Sequence, residues 1–309
     1  MTFADRKKAK TSSSFMRIGL FLVFLIILLL FAQEIQDSIQ GAIRLVVMTV
    51  IPSLFPFIIL SDYFSGIEIS TDSGVSRCFE RIFGIPSQAL TSVITGLLCG
   101  FPLGIKSASS LYDRGVIDDD ELVRICGCAN NPSLGFVISS VGLGMRGSSN
   151  DGWLLFISVT LSSLLLLIFT RRKPINQSKS EFISRQSFDL STSIKDSASV
   201  LTVISSYIIL FSALLGVIKL FIKSKLVLAI TASLLEVSSG MKIVSSTGSI
   251  DYQTSMLLSA FGLGFSGFSV HLQSLYFIPS RLVFLRYLFL KMITGTCAAL
   301  IMSAILILL

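Results

Sequence analysis

Long apolar runs, each closed by charge or by glycine and proline, set the pattern of this chain. Residues 18–33, 45–61, 82–105, 125–145, 152–170, 197–218, 252–280 and 292–309 carry no Asp, Glu, Lys or Arg. Several reach the roughly 20 residues that an α-helix needs to cross a hydrocarbon layer. Serine recurs inside them, which suits helices packed on one another better than helices bathed in lipid. The pattern predicts an all-α polytopic membrane protein.

Four places interrupt it. "GFPLGIKSASSLYDRG" at 100–115 puts Gly100, Pro102 and Gly104 at the end of an uncharged stretch and follows them with Lys106. "CANNPSLGF" at 128–136 sets Asn130 and Asn131 ahead of Pro132. Proline restricts the residue before it and has no N–H to give a helix. "LLEVSSGMK" at 234–242 carries Glu236, Gly240 and Lys242, and "FGLGFSGFSVHLQSLYF" at 261–277 carries Gly262, Gly264 and Gly267. Glycine permits unwinding or close approach. Irregular backbone at membrane depth is tolerated only where protein or a water-filled cavity satisfies it. Re-entrant hairpins and broken helices are therefore expected at these places.

Charge sets a direction. Arg6, Lys7, Lys8, Lys10 and Arg17 precede the first apolar run, and "RRKPINQSKSEFISR" fills 171–185. Both segments belong in the cytoplasm by the positive-inside rule. No A-x-A site precedes Gln33, so the first run reads as an uncleaved span. If all five runs from 18 to 170 crossed fully, the 171–185 linker would lie outside. A re-entrant segment at 88–110 restores the count. The C-terminus then lies outside, and so do Lys219, Lys223 and Lys225, against the charge rule.

The second half can be laid over the first. "SLFPFIILSDYF" at 53–64 matches "VISSYIILFSAL" at 203–214, and "LLCGFPLGIK" at 97–106 matches "SLLEVSSGMK" at 233–242. At the latter spacing "NNPSLG" at 130–135 falls on "SGFSVH" at 266–271. The expected plan has inverted repeats, an arrangement common in carriers. Residues 1–40 form a cytoplasmic tail and first span, 41–150 the first repeat, 151–195 a connecting span and linker, and 196–309 the second repeat with a terminal span.

Composition narrows the classes. Of 309 residues 52% are apolar and only 14% charged, far from a soluble core. The net charge of +7 lies mostly at segment ends, which points to topology and away from nucleic acid. Five cysteines give no disulfide framework, and Cys126 and Cys128 are too close for the usual zinc or redox pair. No nucleotide-binding GxxxxGK[ST] motif, nucleophile triad or metal cluster occurs at useful spacing, so no enzyme, cofactor or metal is expected.

Candidate solute contacts lie at the breaks. Glu236, Ser238, Ser239 and Lys242 share one broken segment, and Lys106 follows the other. An ionisable group at membrane depth costs about 2.5–3.5 kcal/mol on insertion scales and usually faces a cavity or a partner. Three readings of Glu236 stay open: a solute or ion contact, a structural partner of Lys106 or Lys242, or a helix-end group in the headgroup layer. Lys106 lies near Asp113 and Arg114, so snorkelling to the surface competes with solute attraction. Asn130, Asn131 and Ser133 either bind a solute or satisfy the broken backbone. Ser269, His271 and Gln273 alternate through the last break, so a turn is needed if all meet one ligand. His271, the only histidine, suits hydrogen bonding or protonation better than metal binding. The acidic run 113–124 reads as a solvated loop that caps the next helix.

These same segments resemble the YlbJ-like sporulation integral membrane proteins of the nucleoside-recognition, or Gate, group. The resemblance covers roughly 40–295 and is carried most specifically by "GFPLGIK", "NNP" and "GFSVHLQ". It implies a multispan bacterial inner-membrane protein related in plan to concentrative nucleoside transporters. It also implies a role for sporulation members in moving dipicolinic acid across the outer forespore membrane. The reading of first choice is a secondary carrier for a small polar, anionic metabolite, with Lys106 and Lys242 supplying attraction. The alternatives are a nucleoside transporter and a non-transporting scaffold or subunit. Expected partners are a small polar solute, membrane lipids, and a second copy or another membrane protein.

Overall fold

The computed structural model describes residues 19, 22, 23, 25–65, 74–172 and 189–308, and every regular element among them is helical. The cationic tail before the first run and most of the basic linker (173–185) lie outside the described residues.

Helix α1 (Ala32–Leu45) passes through a π-helical turn at Val46–Val50 into α2 (Ile51–Ser65), so one apolar span covers Ala32–Leu60. The wide turn falls just before Pro52. The ring of Pro52 would meet the carbonyl four residues back in an ordinary α-helix, and it has no N–H to donate. Helix α3 (Gly74–Phe83) then meets the segment Ser87–Cys99, which ends in α4 (Leu90–Cys99), at 97°. Next come α5 (Leu103–Asp113), α6 (Asp119–Ala129), a π-helix at Phe136–Met145 and the long α7 (Ser149–Phe169). Beyond the linker are α8 (Leu190–Phe221), α9 (Lys225–Leu235), α10 (Val237–Ser246), α11 (Tyr252–Phe265), α12 (Gly267–Ser274) and α13 (Arg281–Leu308).

Length separates two kinds of helix. Among the described residues, five helical stretches are long and apolar enough to cross a membrane. By contrast α4 and α10 have 10 residues and α5 and α9 have 11. Each rises only about 15 Å, half of a hydrocarbon layer of about 30 Å. The uncharged run 82–105 is therefore not one crossing helix. The final run also differs from expectation: its helix begins at Arg281, not near 292, and carries Arg286 and Lys291 inside it.

The sequence sets the helix starts. Asp118 accepts from the Glu121 N–H at 2.7 Å while Glu121 accepts from the Asp118 N–H at 3.1 Å, a capping box that uses the acidic run as expected. Asp189 and Asp251 cap α8 and α11 by accepting from the N–H groups of Thr192 and Thr254. Hydrogen bonds from Thr192, side chain first, hold the Asp189 carboxyl below its usual range. Midway along α6, buried Arg124 donates to the carbonyls of Gly84 (2.8 Å), Phe83 (2.5 Å) and Leu167 (3.1 Å). It thereby satisfies the ends of α3 and α7 that lack helical partners.

Small residues let the helices approach. A Cβ on Gly104 would overlap Gly96 and Ala129, and one on Gly240 would overlap Ser233. Ser158, Ser162 and Ser163 of α7 are fully buried, and Ser162 reaches across to the Thr294 carbonyl at 2.7 Å. The serine-rich runs are thus helix–helix contacts. Leu300, Ile307, Phe289 and Phe169 stand exposed on the outside, a surface suited to lipid.

Candidate functional site between two helix breaks

Two hairpin tips meet two broken helices. The first tip is the turn Gly100–Pro102 between α4 and α5. Gly100 has φ 80° and ψ −168°, a backbone state that is essentially reserved for glycine. A Cβ there would overlap Ser133, and the Phe101 N–H donates to the Asn131 carbonyl at 2.9 Å. The second tip is Glu236, between α9 and α10. It lies against Gly267 at the break between α11 and α12, where a Cβ would come within 3.1 Å of Val237 N. The chain turns there through Ser266 and Gly267, both at positive φ. In each half a hairpin tip therefore rests on the broken segment of a neighbouring helix.

A closed cavity lies between the two tips. Phe101, Ser133, Glu236, Ser238, Ser269 and Gln273 line it, with Leu54 and Ile204 among its apolar walls. Its free volume is about 10 Å³, room for about one water molecule. Glu236 accepts from the N–H of Ser238 at 2.9 Å and of Ser239 at 2.6 Å, so it caps α10. Ser133 likewise accepts from the Phe136 N–H at 3.1 Å. Gln273 is buried, and its Oε1 has no partner. A buried acceptor without a partner costs about 1–3 kcal/mol, and a ligand donor would recover it.

Asn130 and Asn131 do not line this cavity; they turn toward α13. Lys291, fully buried, donates to the Asn130 carbonyl at 2.8 Å and to Asn131 Oδ1 at 2.9 Å. Asn130 Nδ2 donates to Ser274 Oγ at 3.1 Å and to the Tyr287 hydroxyl. Asn131 Nδ2 donates to the Cys128 carbonyl at 2.6 Å and to Ser163 Oγ at 2.8 Å. These bonds tie the pair to side chains of α7, α12 and α13, and one of them, from Asn131 Nδ2, reaches a backbone carbonyl at the end of α6. His271 belongs to the same group: its Nδ1 pairs with the Tyr287 hydroxyl at 2.9 Å, and its Nε2 has no partner.

Lys106 and Lys242 also lie away from the cavity. Lys106 is exposed on α5. Lys242 is exposed on α10 and borders a separate cleft of about 280 Å³ with Asp37, Ser212 and Lys219. Among the described residues neither lysine forms an ion pair with Glu236. Ser239 pairs with Ser212 at 2.8 Å on that outer side. Gly104, Gly240 and Gly264 lie within helices, while Gly100, Pro102, Pro132 and Gly267 lie at or beside the breaks. Among the described residues no three His, Cys, Asp or Glu side chains gather as metal ligands.

Sequence reasoning missed Lys291, Tyr287 and Ser163. A signal was present for the first two: Tyr287, Lys291, Thr294 and Ala298 follow the spacing of one helix face, and all four are buried.

No protein-family model matches the chain, and no solved structure matches it. A curated protein is similar to it: the "Sporulation integral membrane protein YlbJ" of Bacillus subtilis (strain 168). The two are 27% identical over 270 residues, which cover 72% of this chain and 65% of that protein. The chain thus spans less than two thirds of its relative's length. By this similarity the chain, a polytopic membrane protein, resembles the YlbJ family of sporulation integral membrane proteins.

Proposed function

We propose that this chain is a carrier for a small polar solute, held between the α4–α5 tip and the α9–α10 tip. The observation that carries the reading is the lining of the closed cavity. Leu54 and Ile204 occupy matching positions of the two halves, as do Phe101 and Val237, and Ser133 and Ser269, and all six border it. Contributions in equivalent pairs support inverted repeats with a solute site at their interface, the plan of many secondary transporters. The closed volume supports an occluded conformation, so the tips must part to admit a solute.

The lining also bears on the solute. Neither Lys106 nor Lys242 borders the cavity, so the attraction rests on Ser133, Ser238, Ser269 and Gln273. Glu236 at the same cavity disfavours a bare anion. A solute with donors, such as a nucleoside, fits these groups directly. Dipicolinate, suggested by the resemblance, would enter with its charge neutralised. The resemblance also supports a bacterial inner-membrane location, with sporulation as the setting.

A second reading is a non-transporting subunit of a larger membrane assembly. It is favoured by the Asn131 side chain, both ends of which are paired within the protein, to Lys291 and to Ser163 and the Cys128 carbonyl. Thermal stabilisation of the purified protein by nucleosides, dicarboxylates and dipicolinate separates the two. A carrier is stabilised by at least one of these solutes. A protein stabilised by none, yet copurifying with a stoichiometric partner, is the subunit.

A further inference from the structure

Lys291 is a fully buried lysine that the proposed solute site does not use. Its Nζ lies 2.8 Å from the Asn130 carbonyl oxygen and 2.9 Å from Asn131 Oδ1. The Asn130 carbonyl belongs to the C-terminal end of α6, where carbonyls without helical partners carry partial negative charge. Ser266 Oγ reaches the same carbonyl at 3.3 Å, and Asn130 Oδ1 is buried without a partner. Among the described residues no carboxylate forms an ion pair with Lys291. An ammonium at membrane depth usually pairs with another charged group, a backbone carbonyl or water. This one is held by neutral oxygens at an unwound helix. Such oxygens at broken-helix ends are what membrane carriers use to bind a small coupling cation.

We propose that the Lys291 ammonium is a tethered cation that occupies the α6 break in place of a free monovalent metal ion. The positive charge that the break attracts is covalently part of α13, so the position takes up no sodium or potassium. The assignment rests on the oxygens around Lys291 and requires no solute. If the chain is a carrier, as proposed above, its driving ion is not a metal ion bound at this break.

A simple staple would use the same hydrogen bonds, and a side-chain deletion separates the two. Purified full-length wild type, Lys291→Ala and Lys291→Met are compared by thermal unfolding in detergent. Choline chloride is exchanged for lithium, sodium or potassium chloride at constant ionic strength. Alanine opens space beside the Asn130 carbonyl and Asn131 Oδ1, whereas methionine fills it with an uncharged chain. The expected result is a rise of about 3 °C or more in the melting temperature of Lys291→Ala with one of the three metal ions. Wild type and Lys291→Met should show no such rise. No ion-specific shift in Lys291→Ala, or an equal shift in wild type, overturns the proposal. So does failure to recover folded Lys291→Ala in any of the three salts, because a free ion should replace the tethered one. The readout needs no transport, so the carrier reading can fail on solute while this result stands.

Discussion

Ser266 donates its hydroxyl to the main-chain carbonyl of Asn130 at 3.3 Å, across 136 residues of chain. These residues coincide when "NNPSLG" is laid over "SGFSVH". The contact joins the segment after α6 to the break between α11 and α12, and Lys291 donates to the same carbonyl at 2.8 Å.

Gly100 is expected to tolerate no side chain. Its φ of 80° and ψ of −168° cost a non-glycine residue about 1–3 kcal/mol before any clash with Ser133 is added. Gly115 also has positive φ, but nothing lies within 4 Å of its Cβ position. Gly115→Ala should therefore cost only about 1–2 kcal/mol. Chemical unfolding of both variants in detergent checks the order; equal losses would remove the close approach at the tip.

Arg146 and Asp151 form an ion pair at 2.8 Å with side chains only 6% and 11% exposed. Tyr252 and Ser148 also donate to Asp151, at 3.1 Å and 3.0 Å. Arg146→Met should cost about 3–5 kcal/mol because it strands a buried carboxylate. The double variant with Asp151→Asn should cost less than the sum of the single ones, with a coupling of about 1–3 kcal/mol. Additive losses in a double-mutant cycle would show that the two charges do not act as a pair.

Asn131→Ala and Ser269→Ala should fail differently. The first leaves Lys291 with one acceptor fewer and Ser163 without its donor, so stability should fall by about 1–3 kcal/mol. The second removes a cavity hydroxyl and should weaken solute binding about tenfold with the fold intact, matching one lost hydrogen bond. Thermal unfolding and solute-induced stabilisation, measured on both variants, distinguish these outcomes. A normal solute response in Ser269→Ala would remove that serine from the site.

Much of this arrangement was legible because glycine, proline and charge punctuate an otherwise apolar chain. The tips at Gly100–Pro102 and Glu236, and the breaks near Pro132 and Gly267, fall in the segments expected to be interrupted. Ser133, Glu236, Ser238, Ser269 and Gln273 do converge. The direction of the long side chains was not legible. Asn130 and Asn131 turn to α13 because Lys291 is there, and Lys291 looked like the end of an apolar run. Because α13 starts at Arg281, that lysine lies inside the helix, and its buried face fixes its direction. Lys106 and Lys242 take the opposite course, since the helix faces that carry them point outward.

Topology is a further expectation, carried by the cationic tail and by Arg171, Arg172, Lys173 and Lys179 of the linker. Single cysteines at Ser178 and Leu309, both outside the described residues, should be labelled from opposite sides of the membrane. Labelling of both from one side would contradict the inverted arrangement of the halves.

Solute uptake by vesicles that contain only this protein tests the central claim most directly. Labelled nucleosides, dicarboxylates and dipicolinate should be compared in wild type and in Gln273→Ala, which removes the buried unpartnered acceptor. Saturable uptake of at least one solute is expected, reduced about tenfold or more in the variant, as for loss of a hydrogen bond worth about 1.4 kcal/mol. No uptake of any of them, or uptake undiminished in Gln273→Ala, would contradict a carrier site between the two tips.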